Sequence, residues 1–128
     1  MLLEPKVFQS DDHRQLYETF RAKYQDRGNA QMILPCIYLL TLRSIKGWIP
    51  EYWDTVTGEP KNADKFKTDY RLSSTTRQTM RLAFQLYGWD GDAMHNVGEL
   101  LDDWEYSPFY TSAIWQRYGH ALIGHSVS

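Results

Sequence analysis

Covalent and metal staples are the first thing this chain lacks. Cys36 is the lone cysteine in 128 residues, which rules out an internal disulfide and leaves no cysteine set for a structural zinc. His95, His120 and His125 are scattered and add no zinc spacing. Long apolar runs are missing too. The longest, Ile33 to Leu42, is interrupted by Pro35 and falls short of the roughly 20 residues of a membrane span. The opening MLLEPK carries no apolar core followed by small residues, so no secretory signal is read and a cytoplasmic setting without a membrane is expected. Fourteen basic against sixteen acidic side chains give a net charge of −2, so no global positive field draws the molecule to nucleic acid.

Catalytic signatures are equally sparse. There is no Gly-x-Ser-x-Gly elbow, and Gly88, Gly91 and Gly98 lack the spacing and the lysine of a phosphate loop. An EF-hand starting at Asp90 would place Met94 and Leu101 at coordinating positions, where neither side chain can serve calcium. Cys36 lies in the most apolar stretch, where burial raises a thiol pKa and makes it inert. No internal repeat or second-domain linker is visible, and neither a metal nor a cofactor is expected.

Aromatic side chains, by contrast, are abundant: 15% of the chain, with five Trp and nine Tyr. Helical periodicity is the dominant local signal. Ser10 reads as an N-cap followed by Asp11 and Asp12, after which His13, Leu16, Tyr17, Phe20 and Tyr24 share one side. Gly28 and Asn29 break this helix before AQMILPCIYLLTLRS, a buried helix in which Pro35 lies in the first turn or makes a kink. Ser73 caps the next helix, where Met80, Ala83, Phe84 and Tyr87, widened by Leu82 and Leu86, leave only about a third of the circumference polar. Gly88 suits a left-handed stop. Asn96 caps a further helix with Val97, Leu100, Leu101 and Trp104 inward. Ser107 and Pro108 open a last one, with Phe109, Tyr110, Ala113 and Ile114 inward and Gly119 at its end. The expectation is an all-α chain, one domain over residues 1–128. It is a single compact bundle of about five helices with an N-terminal extension at 1–8, an irregular insertion at 44–72 holding one short helix around Pro50 to Thr55, and a loose tail at 119–128.

VFQSDDHRQLYETF, TMRLAFQLYG and LLDDWEYSPFYTSAIWQRY together resemble, in order and character, a family of small uncharacterised helical proteins of Gram-positive bacteria and their phages and prophages. The residues that carry the likeness are Phe8, Ser10 and His13, then Leu82, Ala83 and Phe84, then Ala113, Ile114, Arg117 and Tyr118. It spans about half the chain, with 54–72 standing as an insertion. The resemblance implies a helical fold and a mobile-element setting, and carries over no activity.

Candidate functional residues fall into three groups. His13 sits in the first turn of its helix, where the dipole keeps the imidazole neutral. The ring is a base or ligand if a pocket sets it beside a carboxylate, and a packing residue if it is buried against Tyr17 and Phe20. Charge is segregated: Lys61, Lys65, Lys67, Arg71, Arg77 and Arg81 stand against Asp64 and Asp69, while Asp90, Asp92, Glu99, Asp102, Asp103 and Glu105 have no basic neighbour. Arg77 and Arg81 either solvate the edge of an enclosed helix or grip a carboxylate or phosphate, and Asp102 and Asp103 either face solvent or dock a basic partner. Trp48, Tyr52 and Trp53, with Ile49, lie in the proline-interrupted GWIPEYWD and either anchor an interface or fold back as a lid. The reading that follows is a non-enzymatic binding or regulatory protein docking on a host or phage protein, with a homodimer open. A nucleic-acid-associated protein using the 61–81 segment ranks below it, and an enzyme centred on His13 comes third.

Overall fold

The computed structural model describes residues 2–88 and 105–127, with side chains through residue 119. Five helices are present among them, in keeping with a predominantly helical chain: α1 (Asp11–Tyr24), α2 (Ala30–Leu40), the single turn α3 (Ile49–Tyr52), α4 (Ser74–Leu86) and α5 (Ser107–Val127). The further helix expected after Asn96 lies outside the described residues. The only sheet among the described residues is a two-residue antiparallel pair, β1 (Trp53–Asp54) and β2 (Glu59–Pro60).

Local chemistry starts the helices where the sequence placed the starts. Ser10 Oγ accepts from the His13 amide at 3.1 Å, and Ser73 Oγ accepts from the Thr76 amide at 3.1 Å, each satisfying an amide that the first turn leaves unpaired. Asp11 and Asp12 open α1, and Arg21 and Lys23 close it, in the order that complements the helix dipole. Gly88, at φ +92°, ends α4 in the left-handed conformation that a side chain disfavours.

Helix α2 is the hub. Every residue from Ile33 to Leu40 is buried, and α1, α4 and α5 pack around it. Pro35 lies inside the helix, past its first turn, and denies the Gln31 carbonyl its usual amide partner. Polar ties join the layers: Gln31 Nε2 donates to the Gln116 carbonyl at 2.6 Å, Gln116 Nε2 donates to the Tyr17 hydroxyl at 2.8 Å, and the Thr79 and Tyr110 hydroxyls meet at 2.7 Å. Helix α4 is enclosed on several sides, with Thr76, Thr79, Met80 and the run Leu82–Leu86 buried.

One tertiary feature departs from the sequence reading, and a second adds to it. Helix α5 does not stop at Gly119 and the residues beyond it are not a loose tail, because the helix continues to Val127. Gly119 is there for closeness rather than termination: a Cβ on it would stand 2.6 Å from Leu3 Cδ1. The N-terminal extension is docked, with Leu2 and Phe8 packed against the core.

The 44–72 segment is irregular yet integrated. A 3-10 turn (Lys46–Trp48) runs into α3, the hairpin β1–β2 follows, and a second 3-10 turn (Phe66–Thr68) leads to α4. Ile49, Tyr52, Trp53, Ala63, Phe66 and Leu72 are all buried, so this segment covers the bundle. Its hairpin turn is tied by Asp54 Oδ1, which accepts from the Val56 and Thr57 amides at 2.9 and 3.1 Å. Arg27 reaches across from the end of α1 to the Val56 carbonyl at 2.9 Å and to the Thr57 carbonyl.

Candidate functional site

The aromatic stretch divides. Trp53 and Tyr52 are 1% and 2% exposed, which removes them as interface anchors. β1 turns the Trp53 indole inward against Tyr24 and Tyr87, with Nε1 donating to the Tyr24 hydroxyl at 3.3 Å. Tyr52 is held by a bond from its hydroxyl to Asp69 Oδ2 at 2.5 Å. Trp48 alone stays half-buried at the surface, and the Arg71 guanidinium lies over its ring, 5.1 Å from the centroid.

Arg71 organises what surrounds Trp48. Its Nε and Nη2 donate to the two Asp69 oxygens at 2.9 and 2.6 Å, and Nη2 also reaches Glu51 Oε1. The bonds from Arg71 and Tyr52 hold the Asp69 carboxyl well below the usual carboxylate range, while Arg71 itself is raised by its two carboxylate partners. Burial, then the bond to Asp69, pushes the Tyr52 hydroxyl up to about 12. Glu51, Tyr52, Asn62, Lys65, Asp69 and Arg71 line an open recess of about 280 Å³. Next to it in the chain, Tyr70 is 92% exposed, the most exposed large hydrophobic side chain described. The result is a cation stacked on tryptophan and fixed by two carboxylates, with an uncovered tyrosine next to the arginine in the chain.

Neither Tyr70 nor the Glu51–Asp69–Arg71 cluster was singled out from the sequence. Asp69 and Arg71 stand two apart in a turn, a usable local signal, but Glu51 comes from another element and only folding brings it in.

The two arginines of α4 have different fates. Arg77 donates to the Asp69 carbonyl at 2.7 Å and lies 3.4 Å from the Phe66 and Leu72 carbonyls, so it ties the 3-10 turn to α4 and its donors face chain rather than ligand. Arg81 is half-buried, and no described group pairs with it. Asp102 and Asp103 lie outside the described residues.

His13 is 2% exposed, and both ring nitrogens are engaged within the fold: Nδ1 accepts from the Gln9 amide at 3.0 Å, and Nε2 bonds the Tyr38 carbonyl at 2.8 Å. Its ring packs against Phe8, Tyr38 and Phe109 instead of the Tyr17 and Phe20 named from spacing. It shares with Ser10, Asp12, Thr41, Arg43 and Lys46 a cavity of about 60 Å³, well below the ~300 Å³ at which small-molecule sites begin. Burial lowers its pKa. Cys36 is fully enclosed and its thiol is pushed well up by burial, so it is no nucleophile at neutral pH. Among the described residues no group of three or more His, Cys, Asp or Glu side chains is placed to hold a metal, and no helix is long and apolar enough to cross a membrane.

Compared with protein-family models, with curated proteins and with solved structures, the chain matches none.

Proposed function

We propose that this is a small non-enzymatic binding or regulatory protein that docks on another protein through the face carrying Trp48, Tyr70 and Arg71. The observation that carries the reading is Tyr70 at 92% exposure, next in the chain to an Arg71 already locked by Glu51 and Asp69. Tryptophan, tyrosine and arginine are the residue types that dominate interface energies, and an arginine fixed in advance loses less side-chain freedom on binding. A host or phage protein as partner, a cytoplasmic setting and a mobile-element origin rest on the sequence resemblance and composition. A homodimer through the same face is the alternative occupant.

The nucleic-acid reading keeps less support. Of the six basic residues in 61–81, Arg71 is neutralised by carboxylates and Arg77 is occupied by carbonyls, which removes both from phosphate contact. The test is a photoreactive phenylalanine analogue at position 70 in producing cells, with position 19 on exposed α1 as control. A single protein adduct specific to position 70, whose affinity falls at least about thirtyfold in Tyr70→Ser, supports docking. Equal affinity in Tyr70→Ser, or salt-sensitive retention on single-stranded DNA or RNA in its place, refutes it.

A further inference from the structure

Residues 2–9 form no helix or strand, and among the described residues no backbone–backbone hydrogen bond ties them to the rest of the fold. Side chains of the body hold them instead. Ser112 Oγ accepts from the Lys6 amide at 2.8 Å, the Tyr38 hydroxyl donates to the Val7 carbonyl at 2.7 Å, and Arg21 pairs with Glu4. Phe8 is seated against the rings of His13, Tyr17 and Tyr38 at 5.3, 5.6 and 5.8 Å. The Arg43 amide donates to Gln9 Oε1 at 2.8 Å, Lys6 lies over the Trp115 ring, and Leu2 packs against the core. A segment held by side-chain contacts without backbone pairing belongs to the less stable part of a fold.

The geometry points to residues 2–9 acting as a detachable strap that neutral His13 latches over an aromatic groove, so that acidification releases the strap and uncovers Tyr17 and Tyr38. The latch is stereochemical. The Gln9 amide is a donor only, so Nδ1 must be bare, and the proton then sits on Nε2, facing the Tyr38 carbonyl. Protonating Nδ1 sets one N–H against another and turns that bond into a repulsion. His13 is also 2% exposed, and both its bonds go to backbone, so no carboxylate is bonded to the imidazolium. The charged groups around it are Asp12 and Arg14 on α1, with Arg43 and Lys46 just past α2. Asp12, Arg43 and Lys46 share its cavity, and Arg14 covers the outer face of Phe8. α2 presents Tyr38, whose hydroxyl burial pushes up to about 12, and α5 and the strap present only the uncharged Phe109, Phe8 and Gln9.

Burial holds the latched His13 below its ordinary 6.5, and a released ring returns toward that value. The latch is therefore at full strength above about pH 6.5, weakens as pH falls, and is lost once pH passes below the latched pKa. Within that window the opening constant rises by up to about tenfold per pH unit.

Residue-resolved amide exchange on the wild-type protein tests this, with each rate normalised to its unstructured value at the same pH. Lys6 and Gln9 should lose protection together as pH falls from about 6.5 to the latched pKa, by up to about tenfold per unit, while Ile37 and Leu39 in α2 stay protected. Lys6 decides the matter, because its amide bonds Ser112 and not His13. Loss at Gln9 alone, no loss at either, or loss at α2 in step would each overturn the proposal. His13→Asn, which keeps an acceptor near Nδ1 but does not titrate, should abolish the pH response, and an unchanged response would also overturn it. Should that variant fail to fold, the wild-type comparison of Lys6 with α2 still decides.

Discussion

Arg77→Met separates a structural arginine from a ligand-binding one. Methionine keeps most of the aliphatic stem and nearly the same helix propensity, so the change removes the guanidinium donors and little else. Of three carbonyls near those donors, only that of Asp69, at 2.7 Å, is at full hydrogen-bond distance, while those of Phe66 and Leu72 stand at 3.4 Å. A hydrogen bond from a charged donor contributes about 1.5–3 kcal/mol. The site is partly open, so water can take over some of the acceptors, which places the loss near 2 kcal/mol. For a domain of this length that lowers Tm by roughly 6–10 °C. Urea unfolding followed by tryptophan fluorescence measures it, with Arg81→Met as the control. Arg81 has no described partner, so its loss should change stability by less than about 0.5 kcal/mol. Equal effects of the two substitutions would refute the assignment of Arg77 to the turn before α4.

Burial gives two further expectations. Tyr38 and Tyr52 are pushed up to about 12, and Tyr17 further still, each chiefly by burial, whereas an unfolded tyrosine titrates near pH 10. The stabilisation from these neutral hydroxyls is complete below about pH 10 and is lost as pH rises toward the folded values. Phenolate absorbance of the folded protein at about pH 11 should therefore fall short of that in denaturant by at least these three side chains. Coincident absorbance while circular dichroism still reports helix would contradict it. Cys36, fully enclosed, should react with a thiol reagent at least about a thousandfold more slowly in the native protein than in denaturant. A native rate within about tenfold of the denatured one would mean α2 is not the buried hub.

What was legible in the sequence is what is decided within a few residues. Ser10 and Ser73 cap the amides three positions on, and the apolar spacing of α4 returns as the buried set from Thr76 to Leu86. Such signals need no knowledge of the rest of the chain. The end of α5 was misread for the complementary reason. Gly119 resembles a terminator locally, yet its missing side chain makes room for Leu3, a contact between opposite ends of the described chain.

The candidate surface follows the same division. Trp48, Tyr52 and Trp53 were indistinguishable as an aromatic, proline-broken run, and only the turn of the backbone at β1 sends Trp53 against Tyr24 while Trp48 stays outside under Arg71. A cation–π contact and two carboxylate bonds then fix the guanidinium that sequence alone counted as one more charge in a basic segment. Net charge along a segment is thus a poor guide to what it offers a partner. The charge of exposed Arg71 is already met by Asp69 and Glu51, and Arg77 is taken up by a backbone carbonyl, while Tyr70, which carries no charge and matches no periodic pattern, is the large side chain that the irregular segment leaves most uncovered. An irregular stretch that buries Trp53 and Phe66 while exposing Tyr70 holds its exposed side chain on a fixed base, which is the condition for a docking residue to bind without first being ordered.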